Sequence, residues 1–256
     1  MKGCLFTLAV LVQKDRHLLP LTLDSLGGQE QGAFEVVLLD GEGSGRLSDL
    51  AERYPDLPIR VRDGSGRRLG ELMNLGLEAA RAPYVQFLEP GDRYISPHGL
   101  SYLSELIEET GEPHLVYSGF LLRHPHEAPR AVSFSLNLDL LHKGTSFRSA
   151  WFSRKAVQEM GGFLPHLSHR PAFDFFCKLF ARRDLRAVYS RRVITDSEPR
   201  RPRAADVIGY ANETCRILYR HFGLWRALRW IFVQDHVKMF HWAIVELREA
   251  FWHRER

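Results

Sequence analysis

Four apolar runs of strand length, separated by segments with helical spacing, occupy the first ninety residues and restrict the fold more than any other feature. Leu5 to Val12 is the first run, and Leu18 to Leu26 then repeats leucines at helical spacing, with Pro20 in the first turn where a missing N–H costs nothing. Phe34 to Asp40 is the second, breaking at Gly41-Glu42-Gly43-Ser44-Gly45 before a helix from Leu47 to Tyr54. Ile59 to Val61 is a shorter third. A helix from Leu69 to Ala80 follows the Gly-Ser-Gly loop at 64–66, and Tyr84 to Leu88 is the fourth strand. Strands and helices alternating at this spacing imply parallel βαβ units whose crossovers bury both sheet faces. The fold class is α/β, with a mostly parallel central sheet flanked by helices. In such sheets ligands bind beyond the carboxyl ends of the strands.

The fourth strand stops at Glu89-Pro90-Gly91-Asp92, two carboxylates bracketing a Pro-Gly turn. Pro and Gly set the backbone of an ordinary polar turn, and Asp tolerates it. Its place at a strand end, after two earlier strand-then-acid units, gives Glu89 and Asp92 a second reading as oxygen ligands for a divalent cation that bridges nucleotide phosphates.

Beyond residue 96 the spacing predicts a helix over Pro97 to Thr110, a strand over Leu115 to Leu122, a loop over His124 to Arg130 and a strand of mixed polarity over Ala131 to Leu140. Trp151 to Met160 and Ala172 to Ala181 read as helices. Residues 197–203 carry two prolines among arginines, which is linker chemistry, and 204–256 read as a helical, basic and aromatic extension. There Phe240, Ile244, Leu247 and Phe251 form one apolar stripe, and Trp225, Trp230, Trp242 and Trp252 stand among arginines and histidines, the composition of an interfacial amphipathic helix. Packing back on the domain, or against a second copy as a homodimer, are the other uses of such a face.

With 256 residues, 45% of them hydrophobic, the chain has enough apolar surface for one large domain with an appendage. Lysine and arginine exceed aspartate and glutamate by only 35 to 31, too small an excess for a dedicated nucleic-acid binder. Cys4, Cys177 and Cys215 are odd in number and far apart, which describes neither a disulfide framework nor paired zinc ligands and fits a reducing cytosol. No apolar run reaches the roughly 18 residues a membrane span needs.

The ordered motifs of the first 190 positions resemble the family 2 glycosyltransferases of the GT-A fold, inverting enzymes that use nucleotide-sugar donors. The family's opening loop and Thr-Leu-x-Ser-Leu helix are matched by Val12-Gln13-Lys14-Asp15-Arg16 and Thr22-Leu23-Asp24-Ser25-Leu26. Its Val-Asp-Asp-Gly-Ser strand end is matched by Leu39-Asp40-Gly41-Glu42-Gly43-Ser44. A Gly-x-x-x-Ala-Arg-Asn-x-Gly-x-x-x-Ala helix is matched loosely by Leu69 through Ala80, with Asn74 and Gly76 kept and Met73 in place of the arginine. Leu88-Glu89-Pro90-Gly91-Asp92 is similar to the variant Leu-Asn-x-Gly-Asp, and Phe147-Arg148-Ser149-Ala150-Trp151 through Gly161-Gly162-Phe163 resembles the segment before the acceptor site.

The resemblance implies that 1–95 bind a nucleotide-sugar and 96–196 an acceptor, a glycan or a lipid-linked glycan. It implies that Gln13, Asp40, Arg68 and Asn74 serve the donor, and that Glu89 and Asp92 hold Mg²⁺ or Mn²⁺. For members acting on lipid-linked acceptors it implies a cytoplasmic protein attached to the inner face of the membrane, here through 204–256. The family usually places its catalytic base in a Glu-Asp or Ala-Asp pair six residues before an arginine; with Lys178 in the arginine's place, six before it is Ala172, and Asp174 is the nearest acid. An inverting transfer needs one base to take the acceptor hydroxyl proton. Asp174 is the candidate, His169 an alternative, and a catalytically degenerate protein that binds a partner or nucleotide is the other reading.

Overall fold

The computed structural model describes residues 4–30, 34–43, 45–122, 128–132, 147–182, 184–197, 204–225 and 227–228. Its first half is β1 (Phe6–Val12), α1 (Leu19–Gly27), β2 (Phe34–Asp40), α2 (Leu47–Ala51), β3 (Ile59–Asp63), α3 (Leu69–Ala79) and β4 (Tyr84–Leu88). These four strands lie in the order β3-β2-β1-β4, all parallel. Every residue of β1, β2 and β4 is buried. Strand period two divides them between two cores. Ala9, Leu11, Val37, Leu39, Val85 and Phe87 pack under α3 with Leu72 and Met73, while Phe6, Leu8, Val10, Val36, Leu38 and Leu88 pack under α1 with Leu19, Leu23 and Leu26.

The second half adds β5 (Arg93–Tyr94), α4 (Gly99–Glu109), β6 (Leu115–Leu122), β7 (Arg130–Val132), β8 (Ala150–Ser153), α5 (Arg154–Glu159), α6 (Pro171–Ala181), β9 (Ala187–Ser197) and α7 (Ala204–Phe222). The sheet continues β4-β8-β6-β9-β5, with β7 on β6. Here β8 is antiparallel to both β4 and β6, so the sheet is mixed beyond β4.

Two sequence readings change. Trp151 to Met160 is not one helix: Ala150, Trp151 and Phe152 are fully buried in a central strand, and the helix starts only after Ser153, whose hydroxyl accepts the Ala156 N–H. Bulky aromatics flanked by sheet on both sides gain more from the pleat than from a helix face. The second is β9, an eleven-residue strand in a stretch where the sequence pattern predicted no element. The expected strand over 131–140 lies mostly outside the described residues, as do the loop at 124–127, most of the linker and the helical stripe beyond residue 228.

The described part of the extension packs back on the domain. Ile217 and Leu218 of α7 and Ala227 beyond it bury against Leu167, Phe173 and Cys177 beneath. Among the described residues no helix is long and apolar enough to cross a membrane.

Candidate active site

The chain leaves β1 toward β2 on one side, while β4 is its neighbour on the other. Loops after β1 and β4 therefore diverge and open a crevice at the carboxyl ends, the switch point where open α/β sheets bind ligands. Gln13 follows β1, Asp40 ends β2, and Glu89 and Asp92 follow β4, so the parallel register delivers all four to this edge. With strands about 4.8 Å apart, the β2 and β4 loops face each other across roughly 10 Å.

Asp40 is nearly buried, and its two carboxylate oxygens accept the N–H groups of Gly43 at 3.0 Å and Gly45 at 3.1 Å. It thereby shapes the glycine loop it precedes. Gln13 donates from Nε2 to the Arg67 carbonyl at 3.3 Å, tying the β1 loop to the start of α3. Arg68 is the N-cap of α3; its N–H is held by Glu71 at 2.8 Å, and its guanidinium reaches the His166 carbonyl at 3.2 Å. Arg67 and Arg68 are exposed at the positive end of a helix, a place suited to anions. Asn74 faces the other way: its amide donates to the Phe163 carbonyl at 2.8 Å and accepts the Phe163 N–H at 2.9 Å. Both of its polar atoms thus pin the Gly161-Gly162-Phe163 turn to α3.

The β4 turn depends on Gly91, whose φ of +97° is a conformation side chains disfavour. Asp92 folds back to accept the Glu89 N–H at 2.8 Å. Arg148 closes the pair, with Nη2 on Glu89 Oε2 and Nε 3.6 Å from Asp92 Oδ2. Antiparallel pairing of β8 with β4 brings it near: Tyr84 faces Ser153 and Gln86 faces Trp151, and the 3₁₀ turn Phe147–Ser149 that leads into β8 carries Arg148 to the end of β4. Buried Gln86 donates to the Arg148 carbonyl at 2.6 Å, and Tyr94 and Trp151 complete that chain of hydrogen bonds. Burial alone would lower the Arg148 pKa, but Glu89 and Asp92 outweigh it and hold the guanidinium charged.

A divalent ion on the same two carboxylates would sit beside this guanidinium. At about 4 Å and an effective dielectric constant of about 20, a dication and a monocation repel by roughly 8 kcal/mol. As arranged, the pair does not fit a metal, and among the described residues no group of three His, Cys, Asp or Glu side chains is placed to hold one.

Asp174 lies in the first turn of α6, wholly buried. Its Oδ1 meets His221 Nε2 of α7 at 2.8 Å and its Oδ2 meets Lys178 at 3.0 Å. Burial would raise its pKa, yet the His221 hydrogen bond and the Lys178 charge overcome this and lower it. Ala172, six residues before Lys178, is core. Both Asp174 carboxylate oxygens are engaged by neighbouring side chains. His169 is half-buried. Helix α7 is tied down elsewhere too: Glu213 accepts the N–H groups of Ser168, His169 and Arg170 at 2.8–2.9 Å, and Arg170 lies between the Phe173 and Tyr210 rings. Sequence reasoning missed Arg148, His221 and Glu213. Only Arg148 left a signal, as part of a quoted motif.

Comparison with known proteins gives the family and the fold. Residues 9–160 match the model of glycosyl transferase family 2. A PGL/p-HBAD biosynthesis glycosyltransferase of Mycobacterium tuberculosis is 27% identical over 197 residues, 76% of this chain and 77% of that protein. S. aureus TarS in complex with UDP-GlcNAc shares the fold at a TM-score of 0.68 and 15% identity, over 85% of this chain and 67% of TarS. The mannosyltransferase PcManGT from Pyrobaculum calidifontis, in complex with GDP-Man and Mn²⁺, does so at 0.64 and 17% identity, over 84% of this chain and 63% of that one. The chain belongs to glycosyl transferase family 2 and is a transferase with a GT-A fold.

Proposed function

We propose that this glycosyltransferase moves a sugar, with inversion, from a nucleoside-diphosphate sugar to a glycan or lipid-linked glycan. The observation that carries the reading is the constellation at the carboxyl edge of β2, β1 and β4, where Asp40, Gln13 and the arginines beginning α3 surround one crevice. Neighbours of the same fold hold UDP-GlcNAc and GDP-Man. Asp40 shapes the loop that meets the nucleobase, and Arg68 with Arg67 offsets diphosphate charge. Asn74 acts at one remove by fixing the Phe163 turn. The Mg²⁺ or Mn²⁺ expected on Glu89 and Asp92 has a counterpart in the Mn²⁺ of PcManGT, but here Arg148 spans the pair. The 204–256 segment is the part we assign to contact with the inner face of a membrane carrying the acceptor.

An inverting transfer needs a base within hydrogen-bond reach of the acceptor hydroxyl. Asp174 meets that need only where α7 lifts from α6. A second reading, donor binding without turnover, is favoured by the burial of Asp174 under His221 and by Ala172 at the family's base position. Release of nucleoside diphosphate from a panel of nucleotide-sugars, with and without lipid-linked and oligosaccharide acceptors, separates the two. Acceptor-dependent release supports transfer; saturable binding with no release across the panel supports the binder.

A further inference from the structure

We propose that Arg148 is the resident cation of the donor site, so that the chain binds its donor without a divalent metal. The inference deepens the donor reading above and rests on it. Two carboxylates at the end of β4 would ordinarily invite a metal ion, because each brings negative charge toward a ligand that is itself an anion. Here the fold supplies the countercharge. Arg148, in the 3₁₀ turn Phe147–Ser149 that leads into β8, contacts Glu89 through Nη2 and approaches Asp92 through Nε.

The placement is built, not incidental. Gln86, fully buried on β4, donates to the Arg148 carbonyl at 2.6 Å, and its own amide oxygen accepts the Tyr94 hydroxyl at 2.5 Å, which in turn accepts the Trp151 indole N–H at 3.2 Å. The next residue, Ser149, pairs its hydroxyl with Thr195 at 2.7 Å. Gln86, Tyr94, Trp151 and Thr195, from four different strands, together with Ser149 thus fix the backbone on both sides of Arg148, the kind of support that holds a polar group in one geometry. The guanidinium is not sealed in: 21% of the side chain remains accessible, on the edge that also carries Asp40 and Gln13. A planar guanidinium matches phosphate oxygens with directed N–H groups, where an ammonium offers only a point charge. Arg67 and Arg68, at the start of α3, add the positive charge that one guanidinium shared with two carboxylates cannot supply alone.

The test has two arms. In the first, Mn²⁺ alone is titrated into the full chain and into Arg148→Gln, by calorimetry and by the electron paramagnetic resonance signal of the free ion. The wild-type chain is expected to take up no stoichiometric Mn²⁺, and the variant to gain a site, since no guanidinium charge then opposes a cation at the two carboxylates. Stoichiometric Mn²⁺ binding by the wild type, no tighter in the variant, overturns the proposal whatever the donor is. In the second arm, UDP, GDP, dTDP and CMP are titrated in EDTA and in Mn²⁺. The nucleotide that binds is expected to bind equally in both, and Arg148→Lys to keep metal-independent binding more weakly. That variant and the wild-type titrations decide the matter even where Arg148→Gln does not fold. Binding only with Mn²⁺ overturns the role of Arg148 and leaves the donor reading intact; binding of no nucleotide under either condition removes the donor reading and this inference with it.

Discussion

Replacing Asp174 by Asn tests whether this acid holds the C-terminal helix down or performs chemistry. The change preserves shape and removes the charge that faces His221 at 2.8 Å and Lys178 at 3.0 Å. Breaking a fully buried ion pair by removing one partner costs about 3–5 kcal/mol. Asp174 is wholly buried, but the side chains of His221 and Lys178 keep 14% and 20% of their surface accessible, so water recovers part of their solvation. The loss should therefore be about 2–3 kcal/mol, below that range. For a chain of this size each kcal/mol moves the melting temperature by about 2–4 °C, which places the expected drop at about 4–12 °C. Differential scanning fluorimetry reads it directly. A cycle with His221→Gln should show coupling of about 1–2 kcal/mol, since contacting residues are not additive. An unchanged melting temperature with additive single effects would refute the pin. An unchanged melting temperature with turnover lowered by about a hundredfold or more would instead make Asp174 the base.

Other consequences follow from the same contacts. Asn74→Ala should cost about 2–4 kcal/mol, because it strands both the N–H and the carbonyl of buried Phe163; urea denaturation measures it. Gly70→Ala should destabilise by about 1–3 kcal/mol or displace the 164–167 segment, since a Cβ there would lie 2.0 Å from the Leu164 carbonyl oxygen; a fall in melting temperature checks it. In acid, Asp174 and Glu35 both have pKa values lowered from the ordinary range, Glu35 because Thr7, the Arg81 N–H and Arg60 outweigh its burial. Their contribution is complete above the unfolded-state values near about 4 and is lost as pH falls through the lower folded values. Asp174→Asn and Glu35→Gln should therefore flatten the fall of stability below about pH 4, read from melting temperature against pH.

The parallel half of the fold was legible because β1, β2 and β4 are buried on both faces and so read as mostly apolar runs before polar turns, each broken by a single polar residue, Thr7, Glu35 or Gln86. Asp40, Glu89 and Asp92 were visible for the same reason: each stands where such a run stops. Trp151 was misread because Ala150-Trp151-Phe152 has no period of its own; only its two antiparallel neighbours make it a strand. Arg148 stood within a recognisable segment, yet its partner Glu89 lies 59 residues away in sequence and only the folded sheet brings them together. Asp174 illustrates the converse. Its position in the first turn of α6 was readable, whereas its partner His221 arrives on a helix whose docking no local pattern specifies.

The account stands on the donor crevice, and isothermal titration of UDP, GDP, dTDP and CMP into the wild-type chain and into Asp40→Ala tests it most directly. Saturable binding of one nucleotide, weakened by loss of Asp40, is what the account predicts. Absence of binding at millimolar concentration for all of them, or binding that Asp40→Ala leaves untouched in a chain shown to be folded, would contradict it.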